Sequence, residues 1–192
     1  MHSIRALKTV FIIRLLIGMT TYASAQNLSP NPSFEDVEYC PSGNTYKAAQ
    51  WFNPNFGSPD LYRDTGASAA CFENCTGFNI VNVYSTPYGY QLPRSGHVYF
   101  GIALMAGIGS DQREYISVQL NDSLIAGKKY CVSFYTSLSN GSGYASDAIG
   151  ACLSNTPFND CSGPVLFSCS TEVRNPPGNV LTDTLDWILI SD

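Results

Sequence analysis

The chain has 192 residues, with ten Lys and Arg against 15 Asp and Glu for a formal charge of −5. That balance excludes a nucleic-acid partner, because neutralising phosphates takes a basic surface. With 44% hydrophobic residues, among them twelve Tyr and ten Phe, there is enough apolar side chain for one packed domain.

Arg5 and Lys8 precede an apolar run around Val10 to Met19, and Ala23-Ser24-Ala25 follows. Charge, apolar run and small residues in that order are the pattern of a secretory signal, with cleavage expected after Ala25. Arg14 interrupts the run and leaves it too short and too charged for a membrane span. The chain is therefore expected to be secreted or displayed at the cell surface, with residues 1–25 as signal peptide, residues 26–192 as a single domain and no membrane span after signal removal. The leader takes three of the ten basic side chains and none of the acidic ones. Residues 26–192 thus carry seven basic against 15 acidic groups, a formal charge of −8. All seven cysteines (Cys40, Cys71, Cys75, Cys131, Cys152, Cys161, Cys169) follow the leader, so disulfides are expected, with at least one cysteine left over. Cys71 and Cys75 form the only close pair, without the second pair or the nearby His that a zinc site takes.

Beyond the leader, two prolines in Asn27 to Glu35 (NLSPNPSFE) delay the first strand, which is expected to begin at Ser33-Phe34-Glu35 on a sheet edge. Tyr46 to Trp51 reads as one short helical turn, and Asn53 to Asp60 (NPNFGSPD) as loop. Trp51 is expected in the core. Asp64 to Asn79 lacks periodicity and reads as a long loop pinned by Cys71 and Cys75.

Three runs then alternate apolar with polar: His97 to Leu104, Glu114 to Leu120 and Lys129 to Leu138. Consecutive runs of this kind predict an antiparallel meander. In the third, Tyr130, Val132, Phe134, Thr136 and Leu138 share one face and Cys131, Ser133, Tyr135 and Ser137 the other. Gly127 suits the turn before it. A sheet with one apolar face calls for a second sheet to cover it. Ala148 to Ser154, Val165 to Cys169 and Leu185 to Ile190 read as further strands, and Asn175 to Asn179 (NPPGN) as a breaker. Short strands with uneven loops and no long amphipathic helix predict an all-β, two-sheet antiparallel sandwich, a jelly roll in preference to an immunoglobulin-type sandwich.

These elements resemble a known family. Cys40-Pro41, Trp51, Ser58-Pro59-Asp60-Leu61-Tyr62, Gly89-Tyr90-Gln91-Leu92-Pro93, Gly96-His97-Val98-Tyr99-Phe100-Gly101-Ile102, Glu114-Tyr115-Ile116, Leu124 to Tyr130, Asp147-Ala148-Ile149-Gly150 and Asp186-Trp187 follow NLSPNPSFE in order. The whole resembles the N-terminal galactose-binding-like, carbohydrate-binding-module-like jelly-roll domain of secreted and surface Bacteroidetes proteins. Such domains are joined to OmpA-like or gliding-motility (type IX) sorting modules. The resemblance implies a fragment of a longer product, truncated before its last strands. It also implies a structural calcium site with Glu35 as the first-strand acid, the last-strand acid falling in the missing segment. Cys40 with Cys71 is the disulfide that it suggests, and Cys152 with Cys161 would close a short loop.

The residues carry little catalytic chemistry. His97 is the one histidine beyond the leader, no Ser, His and Asp set assembles, and no nucleophile elbow or phosphate-cradling glycine loop is present. A glycosidase, the enzymatic alternative, takes two carboxylates about 5 to 9 Å apart, and Asp60, Glu73, Asp111 and Glu114 are the acids open to it. The preferred reading is a non-catalytic module that binds a glycan or a cell-envelope partner. Aromatic faces stack on sugar C–H surfaces while amides take the hydroxyls, and Tyr62, Tyr84, Tyr88, Tyr90 and Gln91 are the candidate contacts. A structural spacer is the other alternative. It should lack a concave patch with convergent polar groups.

Overall fold

A computed structural model describes residues 26–39, 46–64, 69–71, 78–84, 88–105, 113–162, 166–169 and 172–192. The expected signal peptide and the Cys40–Cys71 pairing fall outside the described residues. The fold is all-β, with no α-helix among the described residues. No helix there is long and apolar enough to cross a membrane.

The centre is β4 (Asp60–Arg63), inside a sheet whose other members are β5 (Ala69–Cys71), β6 (Phe78–Asn82) and β7 (Val98–Gly101), in the order β5-β6-β4-β7. β4 runs antiparallel to β7, with Leu61 opposite Phe100 and Tyr62 opposite Tyr99. It runs parallel to β6, with Leu61 opposite Ile80. Alternation puts Leu61, Ile80, Val98 and Phe100 on one face and Tyr62 and Tyr99 on the other. On the first face Ala48, Leu61, Ile80 and Val98 are buried, with Phe34, Trp51 and Phe100 packed against them. Phe34 meets Trp51 and Phe100 edge-on, at 4.9 Å between ring centroids in both pairs, the arrangement that the ring quadrupole favours. Trp51 thus packs against the core, half-buried, and its indole N–H donates to the Asn31 carbonyl at 3.0 Å.

Smaller antiparallel pairs surround this sheet. β1 (Val37–Tyr39) pairs with β2 (Tyr46–Ala48), and β3 (Trp51–Phe52) with β8 (Ser117–Val118). β9 (Ser133–Thr136) pairs with β12 (Ile188–Ser191), and β10 (Gly150–Ala151) with β11 (Val173–Arg174).

Several expectations about local structure change. The first strand begins at Val37 and not at Ser33, because residues 31–34 make a turn closed by the Phe34 N–H on the Asn31 carbonyl at 3.1 Å. Tyr46 to Ala48 is strand and not helical turn, since β1 supplies it a ladder partner. Leu166 to Cys169 makes no strand. The three alternating runs do contain β7, β8 and β9, but these pair with β4, β3 and β12 in place of one another. Alternation decides which side chains face inward and leaves the neighbour open, so the meander was the step that periodicity does not determine. The face pattern holds from 131 to 136 and at Leu138: Val132, Phe134, Thr136 and Leu138 are half-buried while Cys131, Ser133 and Tyr135 are exposed, but Tyr130 is exposed and Ser137 half-buried, against the expectation.

The pairing of β10 with β11 also decides the disulfide. Cys152 follows β10, and its sulfur is bonded to Cys169, not to Cys161, with the two Cα atoms 6.4 Å apart. The shortest loop in sequence loses to the pairing in space. Cys161 takes part in a different disulfide, and Cys131 is a free, exposed thiol.

Candidate functional site

The second face of the central sheet leads to the site. Tyr62 and Tyr99 stack flat on one another, ring centroids 4.9 Å apart, and Trp187 meets Tyr99 edge-on at 5.3 Å. Burial pushes the Tyr99 phenol well above its ordinary pKa, with Tyr62 and Tyr90 adding to the rise, so it stays a neutral donor to the Gln91 carbonyl at 3.2 Å. Above this stack the segments 90–94 and 184–187, with Asn140 between them, line a shallow cleft of about 620 Å³.

Each wall is pinned by hydrogen bonds. Asn140 Oδ1 accepts the Tyr90 N–H at 2.8 Å, and the Gly141 N–H and the Ser139 hydroxyl both donate to the Tyr88 carbonyl. Gly89 makes this approach possible: its φ of +113° lies in the left-handed region, and a Cβ there would collide with Asn140 Oδ1. Gln91 Nε2 donates to the Leu185 carbonyl at 3.1 Å, and the Trp187 indole N–H to the Leu92 carbonyl at 3.0 Å, tying one wall to the other. The second wall is set by Asp183, whose Oδ1 accepts the N–H groups of Asp186 at 2.8 Å and Leu185 at 2.9 Å. Those donors hold the Asp183 carboxyl below the usual carboxylate range.

The sequence candidates divide accordingly. Tyr90 and Gln91 line the cleft. The Tyr84 ring lies 5.6 Å from that of Tyr90, and Tyr88 sits on the same segment; both rings are about 60% exposed (61% and 59%) and so open to a ligand. Tyr62 lies beneath, 7% exposed, supporting the cleft through Tyr99. Arg94, Asn140, Asp186 and Trp187 also line the cleft and were not assigned a role from sequence. Arg94 was three residues beyond a named candidate, and Trp187 was legible as an aromatic next to an acid. What brings them to Tyr90 is tertiary.

Two of the acids proposed for other chemistry, Glu35 and Glu114, bond backbone N–H groups. Glu35 Oε1 accepts the N–H groups of His97 at 2.7 Å and Val98 at 3.0 Å. A calcium ion wants six to eight oxygen ligands, and Oε1 of Glu35 already accepts two amide protons. Among the described residues no three metal-ligating side chains gather at Glu35. The one such grouping joins Glu172 to Cys152 and Cys169, whose sulfurs are already bonded to each other. Glu114 accepts the Ser58 N–H and hydroxyl through Oε1 and the Ala103 N–H through Oε2. Asp60 lies on β4, and Glu73 and Asp111 fall outside the described residues. His97 is exposed and paired with Asp64 at 2.9 Å, which raises its pKa first by hydrogen bonding and then by charge.

Family models, curated proteins and solved structures were each compared with the chain, and none matches.

Proposed function

We propose that the chain is a non-catalytic, secreted or surface-displayed binding module whose ligand is a carbohydrate, held in the cleft between Tyr90 and Trp187. The observation that carries this reading is the cleft's lining: Tyr90, Trp187, Gln91, Asn140, Arg94 and Asp186 border one concavity. Aromatic bodies with a few placed polar groups are what a ligand site takes, and a spacer has no use for them. Only Asp186 among the cleft-lining residues is a carboxylate, whereas glycoside hydrolysis ordinarily takes two; this favours binding over turnover.

The wider assignment belongs to the same proposal. A two-layer jelly roll of the galactose-binding-like type is supported by the β4 sheet, which carries a core on one face and the Tyr62, Tyr99 and Trp187 stack on the other. Export is supported by the leader-like first 25 residues and by a disulfide of the kind that persists in oxidising compartments.

A glycan array probed with the folded chain, with and without calcium, tests the reading. Selective binding that disappears in Tyr90→Ala is the expected result. Silence across the array from a protein shown to be folded would overturn it in favour of a structural module.

A further inference from the structure

Two opposite charges line the cleft without neutralising each other, and this points to the class of sugar. Arg94 and Asp186 both line it, yet no ion pair joins them, and Arg94 has no carboxylate partner among the described residues. The Arg94 side chain has another contact, and the Asp186 backbone is fixed. The Arg94 guanidinium carbon lies 3.5 Å from the centre of the Tyr135 ring on β9, stacked on its face. The Asp186 backbone is pinned by Asp183.

Stacking uses the face of the guanidinium and spares its edge. All five N–H donors lie in that plane, in a fork that matches the two oxygens of a carboxylate. Tyr135 therefore orders the fork in advance, which lowers the entropy lost on binding, and does so without consuming a donor. Asp186, acceptor-only when ionised, complements hydroxyl groups. A neutral sugar answers Asp186 and the aromatic rings but offers the fork only hydroxyl oxygens. A sugar bearing a carboxylate answers all three, and hydrogen bonds between charged partners are roughly twice as strong as neutral ones.

Resting on the reading of the cleft as a carbohydrate site, we propose that it selects a uronic-acid-containing glycan, with the sugar carboxylate on Arg94 and hydroxyls on Asp186. The acidity of the chain makes this informative, since a carboxylate ligand is repelled by the overall charge and needs a local reason to bind.

The test is calorimetric titration of the full chain with tetrasaccharides of galacturonate, glucuronate, mannuronate and guluronate, each beside its carboxyl-reduced counterpart. At least one acidic tetrasaccharide should bind about 10- to 100-fold tighter than its reduced form, the range of a charge-assisted contact. Arg94→Gln should erase that ratio, with the loss falling mainly on the acidic ligand. Arg94→Lys should restore only part of it, because an ammonium lacks the planar fork. Equal affinity for the acidic and reduced forms, or a ratio that survives Arg94→Gln, overturns the uronate assignment and leaves carbohydrate binding standing. A sulfated neutral tetrasaccharide that binds as tightly as the uronate also overturns it. Failure of every acidic and neutral sugar overturns both.

Discussion

Leu61 and Trp187 lie against opposite faces of one four-stranded sheet, and the regions around them are held by different forces. Around Leu61 the stabilisation is apolar: Ala48, Ile80 and Val98 are buried with it, and three aromatic rings close over the cluster. Among the described residues from 113 onward, only Val173, Asn175 and Ile190 are buried. That half is organised by two-residue and four-residue strands, by side chains that bond backbone groups, and by the Cys152–Cys169 bond. Packing makes the first region hard to deform, and hydrogen bonding to loops leaves the second open. The cleft sits where the two meet, with Tyr99 beneath it from the sheet and Asp186 and Trp187 above it from the C-terminal half.

Breaking the packed side should cost most. Leu61 is fully buried, so Leu61→Ala should lose about 2–5 kcal/mol from lost transfer and a residual cavity, read by denaturant unfolding. A loss below about 1 kcal/mol would mean that the cluster is not the core of the fold. On the other side, Cys152→Ser opens a bond that spans 17 residues and should cost about 2–4 kcal/mol in the same experiment. A loss as small as that of an ordinary surface substitution would contradict the pairing.

The junction is probed by Gly89→Ala. The left-handed φ and the contact with Asn140 predict a loss of about 1–3 kcal/mol, with the Tyr90 wall displaced and glycan binding weakened beyond what the stability loss explains. Unchanged binding would separate this loop from the cleft.

The smallest effect is electrostatic and confined to the rim of the sheet. The Asp64 carboxylate raises the His97 pKa above its ordinary value of about 6.5. The pair's contribution is therefore complete below about pH 6.5 and is lost as pH rises through the raised value. Titration followed by the imidazole NMR signals should show the raised pKa, and Asp64→Asn should return it to the ordinary range. A His97 pKa already at the ordinary value in the unmodified chain would remove the pair from the account.

What was legible in the sequence follows the same division. The alternation in Lys129 to Leu138 fixed the inward face of β9, and Trp51 was placed in the core, because periodicity and size report burial directly. Which strands would be neighbours was not legible. β9 finds β12 across 52 residues, Ile188 opposite Thr136, and no local pattern encodes that distance. The disulfide and the cleft inherit the gap, since Cys152 meets Cys169 and Tyr90 meets Trp187 only once the pairings are made. The backbone role of Glu35 was not legible for another reason. An acid near a strand looks the same in sequence whether it holds a cation or accepts the amides of His97 and Val98.

The measurement that bears most directly on the central claim is calorimetric titration of Tyr90→Ala and Trp187→Phe with the tightest-binding glycan from the array. Truncating a ring in contact with the ligand should weaken binding about tenfold or more in Tyr90→Ala, with a smaller loss in Trp187→Phe, which keeps an aromatic face but loses its bond to Leu92. Affinity unchanged in both variants would place the ligand elsewhere and contradict the assignment of this cleft.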